Sequence, residues 1–287
     1  MTGTFRSLRH LLLSSHPGPT AAVTLLSLVL GAAIGLEPWR LAVLTVAVLL
    51  GQLSIGFSND AIDAPRDVAV GRRDKPIATG AIARATVGTA AGVALVAALS
   101  LSLVLGWGMF VAHAVLIGGG WAYNAWLKRT AFSVLPFIVS FGALPSVATL
   151  SASDPSVAAA WASATGAVLG VSIHFTNALP DLADDRRTGV QGLPHRLGPR
   201  VAGVIAFAAL VSGAAVALIG SATADEGLTP LAAVVSIAGF VATTVIAVTG
   251  LVRVVRRPAD RVLFRLVMAA GLLIAAQLAL GGVRLVG

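Results

Sequence analysis

Long apolar runs separated by short polar segments set the architecture of this chain. Nine runs are legible, at about 20–36, 39–58, 86–105, 109–127, 132–151, 156–178, 201–220, 229–251 and 262–283. Each is close to the roughly 20 residues that a helix needs to cross a bilayer. A helix also satisfies its own backbone there, where no water can. The pattern predicts an all-α membrane protein, a bundle of nine transmembrane helices. The first run is expected to stay as an anchor, because Glu37-Pro38-Trp39 after it offers no small-residue cleavage pattern.

Composition sharpens this. Of 287 residues, 57% are hydrophobic and 11% charged, with a mean hydropathy of +0.91. Such a chain is too apolar to be solvated as a globule. It has no cysteine, which excludes disulfides, thiolate metal sites and a cysteine nucleophile. The net charge is +8. With nine spans the loops alternate between two sides, and 18 of the 20 basic residues fall on one of them, leaving Arg40 and Arg284 on the other. The positive-inside rule then puts the amino terminus in the cytoplasm and the carboxyl terminus outside. Without a soluble domain to carry a basic face, the charge is no nucleic-acid footprint. The Ala-, Val-, Gly- and Arg-rich composition points to a GC-rich bacterial genome, and so to a bacterial cytoplasmic membrane.

Against this apolar background two acidic stretches stand out. The first is Asn59-Asp-Ala-Ile-Asp-Ala-Pro-Arg-Asp67, after the second run. On a helix Asp60, Asp63 and Asp67 point within one narrow arc, with Pro65 expected to loosen the helix locally. Crowded carboxylates repel, so something positive belongs among them. Magnesium is the natural candidate, a hard cation that shares oxygen ligands with phosphates. The second stretch holds Asp181, Asp184 and Asp185, again on one helical face after an apolar run. A lone acidic pair at a membrane boundary is ordinary solvated surface. Two clusters on the same side, preceded by Asn59 and Asn177, predict a shared two-sided cation site.

Basic residues lie close by. Arg72, Arg73 and Lys75 follow the first motif, and a diphosphate with its metal between them would account for the proximity. Gln52 lies seven before Asn59, and His174 and Asn177 lie seven and four before Asp181, so all three are expected to face the interior. His113 and Gln277 read as packing residues and His195 as a loop residue. At the fourth run's end stand Tyr123, Lys128 and Arg129, where an aromatic belt is also expected.

The pair N-D-x-x-D-x-x-x-D and, far downstream, D-x-x-x-D resembles the signature of the UbiA superfamily of intramembrane prenyltransferases. Lys75-Pro-Ile-Ala-Thr-Gly80 resembles the basic-Pro-x-x-(Ser/Thr)-Gly element that follows the family's first motif. The resemblance covers essentially the whole chain and implies one UbiA-like membrane domain over residues 1–287. It further implies a single central cavity, capped on the cytoplasmic side by the 2–3 and 6–7 loops. Mg²⁺ would bridge the aspartates to an isoprenyl diphosphate, with Asp60, Asp63, Asp181 and Asp185 as catalytic groups and Asp67 and Asp184 as further metal ligands. Asn59, Arg72, Arg73, Lys75, His174, Asn177 and Arg186 would bind substrate. Tyr123 and Lys128 match the family's Tyr-to-Lys diphosphate element, for which Arg129 is a substitute that spacing does not separate from Lys128. Phe57, Trp121 and Phe175 are candidate shields for an allylic cation. The implied reaction moves a prenyl group to a small aromatic acceptor and releases diphosphate. A terpene cyclase of the same superfamily would use the same carboxylates without an acceptor. An ion-coupled transporter would need midplane charges and an internal repeat, neither of which stands out.

Overall fold

A computed structural model describes residues 2–224, 228–257, 259–280 and 285–286, and their side chains other than those of residues 2–6, 183 and 184. The described residues form helices α1 (Thr2–Leu13), α2 (Pro17–Ala33), α3 (Pro38–Ala69), α4 (Arg84–Leu105), α5 (Trp107–Ala125) and α6 (Leu135–Thr149). They continue with α7 (Ala160–Ala178), α8 (Leu182–Arg187), α9 (Leu193–Leu197), α10 (Pro199–Thr223), α11 (Pro230–Arg256) and α12 (Arg261–Leu280). Their only β pairing is one antiparallel bridge, Ala158 to Val286. Each predicted run coincides with a helix apart from its ends. Proline opens α2, α3, α10 and α11, where its fixed φ suits the first turn and its missing N–H costs nothing.

Five of these helices, α3, α4, α10, α11 and α12, are long and apolar enough to cross a membrane. The outward faces of α4 and α11 carry Val93, Val96, Val234 and Val245, each at least 60% exposed. Apolar surface on that scale has lipid, not water, as its solvent. This is an integral membrane protein. α2 and α6 have only 17 and 15 residues. α5 and α7 have 19 residues each and fall outside that set, carrying the polar His113, Tyr123, Asn124, His174 and Asn177.

Small residues allow close approach, as expected where lipid removes the hydrophobic drive between helices. Gly166 and Gly170 of α7 lie against the backbone carbonyls of Phe141 and Phe137 in α6, where any Cβ would collide. The Phe141 carbonyl is the one that Pro145, four residues later, leaves without a helical donor. Pro65 repeats the situation in α3, yet that helix stays continuous to Ala69. The reason is a replacement donor: Arg84 Nε gives a hydrogen bond to the freed Ala61 carbonyl at 2.7 Å.

Candidate active site

The site begins where the chain turns from α1 into α2. His16 takes a left-handed backbone, φ 54°, and the preceding Ser15 carbonyl rests on Gly56 of α3, where a Cβ would collide. Asp60 lies one turn further along α3, and His16 Nε2 stands 3.0 Å from its Oδ1. Lys75 donates to the same Oδ1 and lies 3.0 Å from His16 Nε2. Asp60 Oδ2 is buried without a hydrogen-bond partner.

Asp63 receives the ammonium of Lys128. After Ala125 the chain tightens into a 3₁₀ turn, Leu127–Arg129, which turns Lys128 inward and leaves Arg129 exposed. Burial pushes the Lys128 ammonium below its ordinary pKa, and the Asp63 carboxylate opposes that shift. Arg66, three residues after Asp63, joins the two acidic stretches: its guanidinium is 3.1 Å from Asp185 and 3.8 Å from Asp67. Arg72 donates twice to Asp74 at 2.8 Å and approaches Asp181 at 3.9 Å. The Arg72 pairing holds the Asp74 carboxyl well below the usual carboxylate range.

α9 steadies the far side. His195 Nε2 is 3.0 Å from Asp185 Oδ2, and Arg186 donates to the His195 carbonyl. The Leu193 N–H donates to Ser133 Oγ, whose hydroxyl lies 3.0 Å from His174 Nε2. His174 is thus buried behind the cavity wall, packed by Tyr123 and Phe137 with ring centroids at 5.7 and 4.8 Å.

Asp63, Asp67, Asp181 and Asp185 all border one cavity of about 850 Å³, together with Asn59, Arg72, Lys75, Tyr123, Lys128, Asn177 and Gln52. Its body is lined by Ile55, Leu116, Phe137, Phe141, Leu144 and Ile173, and its α12 side by Phe264 and Met268. Other candidates sit elsewhere. Asp60 is buried beneath the mouth, Arg73 and Arg186 are exposed away from the cavity, and the Asp184 side chain lies outside the described residues. Phe57, Trp121 and Phe175 pack into hydrophobic clusters, so the aromatic lining is Tyr123, Phe137, Phe141 and Phe264 instead.

Several lining or supporting residues carried little sequence signal. Arg66 is the exception, since its i+3 spacing from Asp63 puts it on the same helical arc. His195 stands on a short helix rather than in a loop, and His16 reaches a partner 44 residues away, which no local pattern announces. His113 and Gln277 are buried packing residues.

Among the described residues no three acidic or histidine side chains close on a common point, because a cation is interleaved with each carboxylate pair. The donor set still fits a hard divalent cation. It consists of carboxylate oxygens from two directions, Asp63 and Asp67 on one side and Asp181 and Asp185 on the other, with Asp185 Oδ1 buried and met only by the Arg66 guanidinium at 3.1 Å.

Fold and site together define an all-helical membrane protein with an apolar cavity and a charged, carboxylate-rich mouth. Residues 20–269 match the UbiA prenyltransferase family, and the chain belongs to that family. It is 33% identical over 193 residues to the bacteriochlorophyll synthase 33 kDa chain of Rhodobacter capsulatus, a match spanning 60% of each chain. Among solved structures it resembles a UbiA homologue from Archaeoglobus fulgidus bound to GPP and Mg²⁺, with a TM-score of 0.75 at 14% identity over 96% of this chain and all of that one. An apo UbiA homologue from Aeropyrum pernix K1 gives a TM-score of 0.70 at 14% identity over 94% of this chain and 96% of the other.

Proposed function

We propose that this protein is a Mg²⁺-dependent intramembrane prenyltransferase, moving a prenyl group from an isoprenyl diphosphate to a small aromatic acceptor. The observation that carries the reading is the meeting of both acidic stretches with Arg66, Arg72 and Lys128 at the mouth of one apolar cavity. A charged headgroup belongs at that mouth and a prenyl tail in the body. The volume of about 850 Å³ lies toward the upper end of the range for small-molecule sites, roughly 300–1,000 Å³. Tail and acceptor therefore fit together. The relative named as a bacteriochlorophyll synthase supports a biosynthetic enzyme over a carrier.

Asp63 and Asp67 from one side, with Asp181 and Asp185 from the other, are the groups that would hold magnesium. When bound, magnesium supplies a Lewis acid that neutralises charge on the leaving oxygens. Lys128 and Arg66, which pair with Asp63 and Asp185 here, are within reach to exchange carboxylate for diphosphate oxygens. Such charge-assisted contacts are strong in a site that excludes water. The prenyl C–O bond breaks with its electron pair leaving on diphosphate. Tyr123, Phe137, Phe141 and Phe264 line the part of the cavity that would hold the tail, where a developing cation would be attracted to a π-face. The acceptor closes the new bond with its own electron pair and loses a proton. In the proposed topology nine spans form a single domain around the cavity. The amino terminus and the mouth are cytoplasmic and the carboxyl terminus exterior, as the 18-to-2 distribution of basic residues supports.

The test uses purified protein, Mg²⁺ and radiolabelled prenyl diphosphates of several lengths, with and without a panel of aromatic acceptors. A labelled adduct that needs both metal and acceptor is the expected result. Diphosphate release with a hydrocarbon or alcohol in the absence of acceptor would instead identify a cyclase. Full activity in an Asp63→Asn and Asp181→Asn double variant would sink the reading.

A further inference from the structure

A side-chain amide can present either its oxygen or its NH₂ in a given direction, and only its neighbours decide which. At Asn59 the deciding neighbour is Asn124, on α5 and 3% exposed. Gly120, one turn earlier, lies against Ile55, where a Cβ would collide, so α5 runs close to α3 at this height.

The chain of donors fixes both amides. Ser58 Oγ donates its hydrogen to the Ile55 carbonyl at 2.8 Å, so toward Asn124 it offers only a lone pair. The Ile55 carbonyl can only accept. Both lie 2.9 Å from the same Asn124 nitrogen, which must therefore be the NH₂ end. Asn124 Oδ1 is left facing Asn59, and it accepts from Asn59 Nδ2 at 3.1 Å. Asn59 thus commits its NH₂ to Asn124. Its own Oδ1 has no donor among the described residues, and the side chain borders the cavity beside Asp63.

We propose that Asn124 is a positioning residue, which acts through Asn59 by turning that residue's carbonyl oxygen into the cavity as a hard-oxygen ligand beside Asp63 for the divalent cation. With Asn124 gone, no other side chain among the described residues holds the Asn59 amide, which is then free to flip and aim two N–H groups at that cation. The inference rests on the metal-dependent reading above. It assigns a role to a residue that the acidic motifs do not contain.

Binding of Mn²⁺ to the full-length protein in detergent, with inorganic diphosphate present, reports on this without turnover and is read by electron paramagnetic resonance. Four proteins are compared: wild type, Asn59→Ala, Asn124→Ala and the double variant. Asn124→Ala should weaken Mn²⁺ binding by about 10- to 100-fold, as expected when an outer-shell partner is lost. The double variant should be no weaker than Asn59→Ala alone, since Asn124 acts only through Asn59. Asn124→Leu keeps the packed volume against α3 and stands in for the alanine variant if that one does not fold. Unchanged Mn²⁺ affinity in the Asn124 variants would overturn the proposal while leaving the metal site intact. Losses that multiply in the double variant would overturn it as well. A wild type that binds no Mn²⁺ would overturn the metal-dependent reading itself.

Discussion

Two ion pairs carry different duties although both join a carboxylate to a cation near the cavity mouth. Lys128 and Asp63 are 4% and 8% exposed, so each is the other's main compensation for lost water. Lys128→Ala should cost roughly 3–5 kcal/mol, the usual penalty for stranding one buried charge, and the lower figure applies because Asp63 borders the cavity. Added Mg²⁺ should then raise the melting temperature of that variant more than that of wild type, since the metal replaces the missing ammonium. Equal shifts would mean that Asp63 does not face the cation. Arg72 and Asp74 lie in the loop after α3, and their pairing is pH-dependent in a defined direction. Asp74 titrates lower in the folded protein than in the unfolded chain, so its contribution is present above the unfolded value, about 3.9. It is lost as pH falls below that. Proteolytic nicking between residues 70 and 83 should therefore be flat from pH 8 to pH 5 and rise below about pH 4. An Asp74→Asn variant should be nicked alike at every pH.

Between helices, the decisive positions are those where backbone meets backbone. Gly166 touches the Phe141 carbonyl, and a carbonyl in a helix cannot move aside as a side-chain tip can. Gly166→Ala should therefore destabilise the α6–α7 pair by about 1–3 kcal/mol, in the range for overpacking. Gly88 in α4 has open space around its missing Cβ, so Gly88→Ala should stabilise by up to about 1 kcal/mol through helix propensity alone. Thermal unfolding in detergent compares the two directly, and a matching sign for both would show that packing is not what separates them. The element scale also explains why α3 survives Pro65. A proline inside a helix leaves a carbonyl open, and here Arg84 from the next helix fills the vacancy. From the sequence the helix was expected to loosen at that position, because a replacement donor 23 residues away is invisible to a local rule.

For the molecule as a whole, the testable quantity is its orientation. Reporter tags on the two termini should fall on opposite sides of the membrane, the amino-terminal one cytoplasmic. Both on one side would mean an even number of spans, and the acidic stretches would then no longer be forced onto a common face by topology. The shortness of α2 and α6, at 17 and 15 residues, makes these two helices the place where a miscount would arise.

Much of this protein was legible before any fold was known, because the physics involved is local. Bilayer thickness sets the length of apolar runs, and helical periodicity puts Asp60, Asp63 and Asp67 on one arc. The preference for basic residues inside puts both acidic stretches on one side. What periodicity could not do was separate neighbours on that arc. Asp63 and Asp67 border the cavity, whereas Asp60 lies beneath it, held by Lys75 and His16. Nor could spacing choose between Lys128 and Arg129, which the 3₁₀ turn after Ala125 directs to opposite sides. The partners of Asp185, Arg66 and His195, come from α3 and α9, and the orientation of Asn59 is set from α5. Apart from that local turn, each of these depends on which helices pack together and how closely, which is set by contacts such as Gly56 against the Ser15 carbonyl and Gly120 against Ile55, made across tens of residues rather than between neighbours in the chain.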